Sequence, residues 1–159
     1  MHDRYEIQDV LSRYVRATDE RDVKALAGLF AEDGVFRFFS RSGTEKYRPI
    51  GKPFSGPKEI RDFVASWPSL PERVYLHHMT TDHMIEVDGD EAIMNAQFMV
   101  VPAVAAAEPE DGWPKGLRGV QGSATPTMIG IYDAHLSRID GAWKLTRFDV
   151  LHSLPDPGN

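Results

Sequence analysis

Apolar residues recur at helical spacing through the first part of the chain and alternate with polar ones through the second. Ile7, Val10, Leu11, Tyr14 and Val15 fall at i, i+3, i+4, i+7 and i+8, with Arg13 and Arg16 between or beside them. That spacing predicts an amphipathic helix with one buried stripe. Thr18 and Asp19 come one turn after Tyr14 and Val15 and so project from the buried side or its edge. Asp22 can cap a second helix, predicted over Val23 to Ala31, with Leu26, Leu29 and Phe30 on one face and Asp33-Gly34 ending it. Val35 to Phe39 reads as a strand, and the polar stretch 40–53 has no assignable period. Ser55-Gly56-Pro57-Lys58-Glu59-Ile60 opens a third helix, with proline suited to the first turn and Glu59 near the positive end of the dipole. Ile60, Phe63, Val64 and Trp67 form its stripe, and Pro68 stops it.

The remainder reads as sheet. Val74 to Val87 meets Glu91 to Val101 across Asp88-Gly89-Asp90, and Thr127 to Arg138 meets Trp143 to His152 across Asp140-Gly141. Between the hairpins runs 102–126, rich in proline and glycine, and a connection that long in a compact domain is usually functional or disordered. Val104, Trp113, Leu117 and Val120 make it more apolar than a solvated linker requires. It is expected to be a lid with Trp113 as the plug, or an arm that wraps a dimer partner. Three helices followed by a four-strand antiparallel meander predict a single α+β domain over 1–159, with helices packed on one face of a curved sheet. An internal pocket is expected between the two layers. Met94, Ala96, Phe98 and Val100 alternate with nothing else in the chain to cover them. They predict a homodimer through the sheet face, burying about 1,200–2,000 Å².

Composition narrows the function classes. The 159 residues carry 18 Lys plus Arg against 24 Asp plus Glu, a net charge of −6, which disfavours a phosphate-backbone binder, so no nucleic-acid partner is expected. With zero cysteines there is no disulfide framework, no thiolate nucleophile and no Cys-ligated metal or cluster. No apolar run approaches the roughly 20 residues that span a bilayer, and the N-terminus has no apolar leader core. A cytoplasmic protein without a membrane partner is expected.

Asp19 and the His77-His78 pair carry the candidate chemistry. A carboxylate beside an imidazole fixes the ring tautomer and leaves the second ring nitrogen to take a proton. Asp19 can also cap backbone amides in the turn to Asp22. In a regular strand, Ile85 and Val87 share parity with His77, Met79, Thr81 and His83 rather than with His78. A one-residue bulge between Thr80 and Met84 would reconcile His78 with an inward position; alternatively Ile85 and Val87 face a dimer partner across the outer sheet face, and His83 is the second choice after His78. Three histidines and Asp82 on one strand split between its faces, so no metal site is expected. Arg147 shares parity with Trp143 and Leu145 and, if inward, needs Asp149, Asp19 or an anionic ligand as partner. Phe38, Trp67, Phe98 and Trp113 line a pocket or fill the core.

An ordered set of motifs runs through nearly the whole chain. It starts with Ile7-x-x-x-Leu11-x-x-Tyr14-x-x-Ala17-x-Asp19-x-x-Asp22 and Leu29-Phe30-Ala31-Glu32-Asp33-Gly34. Gly56-Pro57-x-x-Ile60 and His78-x-x-x-Asp82 follow, then Gly130-x-Tyr132 and Arg138-x-Asp140-Gly141-x-Trp143-Lys144-Leu145. In this set the chain resembles the SnoaL-like branch of the nuclear transport factor 2-like superfamily, which includes polyketide cyclases, scytalone dehydratase, bile-acid dehydratase and hexachlorocyclohexane dehydrochlorinase. The resemblance implies a cone-shaped α+β fold and, in the lyase members, a dyad of a helix Asp and a strand His, here Asp19 and His78. It implies a pocket tyrosine at Tyr14 and an anion-stabilising arginine close to Arg147. The expected function is cofactor-independent elimination, isomerisation or ring closure on a hydrophobic cyclic small molecule. The alternative is a non-catalytic binding or dimeric assembly module of the same fold. The dehydrochlorinase has lysine where this chain has Tyr14, and the acidic residue of the bile-acid enzyme has no match among Asn95 to Met99, so neither reaction carries over intact.

Overall fold

The structure, a computed structural model, describes residues 2–41 and 46–156. The first helix, α1 (His2–Glu20), buries Ile7, Val10, Leu11, Tyr14, Val15, Ala17 and Thr18, which is the stripe its spacing predicts. Asp22 caps α2 (Val23–Ala27) by accepting the Ala25 N–H at 2.9 Å. This helix is shorter than the Val23–Ala31 predicted from sequence. It closes at Gly28, and the Leu29 carbonyl is already taken by the Leu145 N–H at 2.9 Å. Strand pairing therefore captures the chain before another helical turn can form.

Strand β1 (Phe30–Arg41) follows, so Asp33-Gly34 lies within a strand rather than ending a helix. The register against the last strand slips between Phe30 and Val35. A Cβ at Gly34 would sit 2.6 Å from the Leu145 carbonyl oxygen, so only glycine fits that close approach. The 40–53 stretch contains β2 (Tyr47–Pro49), and residues 42–45 lie outside the described residues. After β3 (Phe54–Ser55), α3 (Gly56–Ala65) starts where its signals put it. The Glu59 carboxylate reaches back to accept the Ser55 N–H at 3.0 Å, one half of a capping box.

The long strands are β4 (Val74–Asp88), β5 (Glu91–Ala105), β7 (Met128–Ile139) and β8 (Ala142–His152), with the short β6 (Gly122–Ala124) paired on β5. Sheet order is β2-β1-β8-β7-β5-β4, with β1 parallel to β8 and the other pairs antiparallel. The expected four-strand meander is thus extended by β1 and β2 on the β8 side. The three helices pack on its concave face to make a cone, and its core gathers Phe36, Phe98, Tyr132 and Phe148 around Tyr14.

The sheet-face expectation needs correcting. Met94, Ala96, Phe98 and Val100 are buried inside the chain, beneath the helical layer, and cannot meet a partner. The opposite parity carries the outward apolar row, where Met79, Met99 and Ile129 stand side by side across β4, β5 and β7. Met79 is 56% exposed and Ile129 45%.

Candidate functional site

Asp19 sits on the last turn of α1 and His78 on β4, 59 residues apart. His78 Nδ1 lies 2.5 Å from Asp19 Oδ1, and the His78 backbone N–H donates to both carboxylate oxygens at 3.2 and 3.1 Å. The carboxylate therefore holds the strand and the ring together. With Nδ1–H donating to Asp19, Nε2 is left as the acceptor.

A bulge makes this contact possible. The β4–β5 register breaks between Thr81 and Met84, so Asp82 and His83 together oppose Ala96, and Asp82 takes φ +54°. Before the bulge the even-numbered residues Leu76, His78 and Thr80 face inward; after it Ile85 and Val87 do. One extra residue thus reconciles an inward His78 with inward Ile85 and Val87. His83 contacts Thr80 Oγ1 at 3.2 Å and does not line the cavity.

The cavity between helices and sheet has a volume of about 440 Å³, within the range of small-molecule sites. His78, Tyr14, Phe38, Trp67 and Phe98, all singled out from sequence, line it together with Thr18, Leu76, Val100, Tyr132 and Val150. Burial pushes the phenols of Tyr14 and Tyr132 above their ordinary range, so both remain protonated near neutrality and can donate but not act as bases.

Among the lining residues not anticipated, two carry basic nitrogens. His152, at the end of β8, meets the Phe98 ring edge-on at 5.7 Å. Burial lowers its pKa, Asp156 works against that, and His78 adds a smaller lowering. Arg21, just past α1, stacks on Trp67 at 5.1 Å from the ring centre. The sequence signal for His152 was its parity with Phe148 and Val150.

Besides His83, two further predicted members are elsewhere. A second bulge, at Thr146, separates Leu145↔Leu136 from Arg147↔His135. It sends Arg147 to the outer face while Trp143, Leu145, Phe148 and Val150 stay buried. There Arg147 Nη2 is 2.5 Å from His135 Nε2 and 3.5 Å from Asp133. Its Nε is 3.3 Å from Asp149 without the alignment of a hydrogen bond. Asp149 is instead held bidentately by Arg37 at 2.7 and 2.6 Å. Trp113 does not line the cavity; it is 42% exposed on the arm that leaves β5 at Ala105 and returns at β6. Among the described residues no three His, Asp or Glu side chains are grouped to hold a metal ion. No helix there is long and apolar enough to cross a membrane.

The SnoaL-like domain family matches residues 1–149. The chain belongs to that family. Solved structures agree on the fold of this SnoaL-like protein. The β subunit of an inferred aromatic-ring-hydroxylating dioxygenase from Novosphingobium aromaticivorans superposes with a TM-score of 0.69 at 15% identity, over 96% of this chain and 90% of that one. An inferred aromatic ring hydroxylase from the same organism gives 0.66 at 26% identity, over 97% and 91%. ActVI-ORFA from Streptomyces coelicolor gives 0.66 at 16% identity, over 96% and 98%. No curated protein sequence matches the chain. Family and cavity together fit a small-molecule-binding or cyclase-type role.

Proposed function

We propose that this SnoaL-like protein is a cofactor-independent lyase or isomerase whose substrate is an apolar cyclic small molecule, with dehydratase-type elimination as the leading reaction. The observation that carries the reading is the Asp19–His78 contact at 2.5 Å, with His78 on the wall of an apolar cavity and Asp19 behind it. His78 Nε2 takes a proton from a substrate carbon, and Asp19 holds the ring through Nδ1–H and stabilises the imidazolium that forms. Tyr14, kept protonated by burial, donates to the oxygen that gains charge. The His78 imidazolium then returns that proton to the leaving oxygen, which departs as water, while His152, a neutral imidazole on the same cavity, offers a hydrogen bond to it. Arg147 has no part in this scheme because it lies on the other face.

The test needs no natural substrate. Solvent deuterium uptake next to the carbonyl of 1-tetralone, followed by proton NMR, reports proton abstraction directly. The protein should accelerate uptake over His78→Gln by about 100-fold or more, the usual weight of a positioned base. Equal rates for the two proteins would end the reading.

The second reading, a dimeric binding or assembly module, is favoured by one observation. The row Met79, Met99 and Ile129 leaves apolar surface on the outer sheet face. A homodimer through that face is compatible with either function, and the 102–126 arm, with Trp113, Leu117 and Val120 exposed, suits a partner contact better than a lid.

A further inference from the structure

Helix α1 ends in a double hydrogen-bonded turn. The Asp22 N–H donates to the Ala17 carbonyl at 2.9 Å and the Arg21 N–H to Thr18 at 3.3 Å. This is a Schellman ending, whose left-handed residue is usually glycine because a Cβ is disfavoured there. Here that residue is Arg21, at φ +58°. An arginine held in a conformation suited to glycine calls for a reason in its side chain.

The side chain supplies three. Among the described residues, Arg21 is the only permanently charged one on the cavity wall. Its guanidinium lies against the Trp67 ring, which fixes the plane of the fork. Its Nε is buried with no hydrogen-bond acceptor among the described residues, and no carboxylate there comes within ion-pairing distance of it. The neighbouring Asp19 is already occupied by the His78 ring and backbone. A buried guanidinium N–H without an acceptor is costly unless a ligand provides one.

We infer that Arg21 is the anchor for an anionic oxygen of the ligand, and that the natural ligand is an apolar ring compound bearing a carboxylate. The carboxylate pairs with the Arg21 fork, and the ring body fills the cavity between Phe38, Phe98 and Val150. The rest of the ligand is then held where His78 can reach it. The inference rests on the cavity being the substrate site proposed above, but it concerns binding and not proton transfer.

The experiment compares two probes of one shape, 2-naphthoate and its neutral amide 2-naphthamide, by titration calorimetry. The native protein should bind the acid at least about tenfold more tightly than the amide, since a guanidinium–carboxylate pair is about twice as strong as a neutral hydrogen bond. Arg21→Gly suits the left-handed position and keeps the fold, which a thermal melt checks; it should abolish the preference and leave amide affinity unchanged. His78→Gln should keep the preference even if it abolishes deuterium uptake, which separates this inference from the catalytic one. Equal affinity of the native protein for both probes, or no binding of either, overturns the assignment. So does a preference that survives Arg21→Gly but is lost in His78→Gln, which would place the anion on the imidazole.

Discussion

Replacing Asp19 by Asn tests the dyad where stability and chemistry respond differently. The carboxylate accepts the His78 ring N–H at 2.5 Å and the His78 backbone N–H at 3.2 and 3.1 Å. Asparagine has one oxygen to offer and an NH₂ group that cannot accept. If its oxygen keeps the backbone N–H, its NH₂ faces Nδ1. Nδ1 must then become the unprotonated nitrogen, and the proton moves to Nε2. A charge-assisted bond, worth about 1.5–3 kcal/mol, becomes a neutral one of about 1 kcal/mol, so the stability loss should be about 1–2 kcal/mol. Proton abstraction loses its acceptor altogether, which corresponds to about 100- to 10,000-fold, or roughly 3–5 kcal/mol in the barrier. Asp19→Ala should cost more stability, about 3 kcal/mol, because it leaves the half-buried amide without any acceptor. Urea unfolding measures the first quantity and deuterium uptake the second. Imidazole nitrogen resonances under mildly alkaline conditions should place the proton on Nδ1 in the native protein and on Nε2 in Asp19→Asn. A native His78 protonated at Nε2 would refute the reasoning. So would an Asp19→Asn protein that unfolds no more easily than Asp9→Asn, whose carboxylate is exposed on the same helix.

Three further outcomes are expected. Gly130→Ala should lower stability by about 3 kcal/mol in a urea melt, because a Cβ there meets the Leu151 carbonyl oxygen at 2.1 Å and Phe98 Cε1 at 2.9 Å, and neither strand can yield freely. His152, whose pKa burial lowers from 6.5, binds protons more readily when unfolded. Its contribution to stability is complete above about pH 6.5 and is lost as pH falls toward the folded value, so melting temperatures of His152→Gln should fall less steeply with acid than those of the native protein. Lysine at both Met79 and Ile129 should convert a dimer to a monomer in sedimentation without lowering the melting temperature of the monomer, and an unchanged mass would remove the outer face as the contact.

Periodicity carried most of the fold into view. The α1 stripe and the two Asp-Gly hairpins are local patterns, and local patterns survive tertiary packing. The extent of α2 was not visible because Leu26, Leu29 and Phe30 suit a helix face and a strand entry equally. What settles it is the pairing of Leu29 with Leu145, far along the chain. His78 was legible from its motif and its pairing with Asp19, while its parity conflict with Ile85 and Val87 left open a bulge or an outward-facing Ile85 and Val87, and the bulge is what the strand has. No such conflict marked Thr146, where apolar residues lie on both sides of the slip, so Arg147 was placed on the wrong face. Met94 to Val100 showed which residues share a face but not which layer covers it. Arg21 escaped notice because a helix ending is sought through glycine, and here the glycine position holds an arginine.

The two mid-strand bulges have a consequence for how such a protein changes over generations. Each bulge acts as a one-residue frame for the side of the sheet, as codons have a reading frame. Removing Asp82, or inserting one residue beside it, would exchange the ligand-facing and outward-facing sets along half of β4 at a single stroke, leaving every other letter of the strand unaltered. A short insertion or deletion far from the reacting atoms can therefore redesign the wall a ligand meets more completely than several substitutions. A relative that lacks one of these bulges, aligned without a gap there, will have its wall residues misassigned.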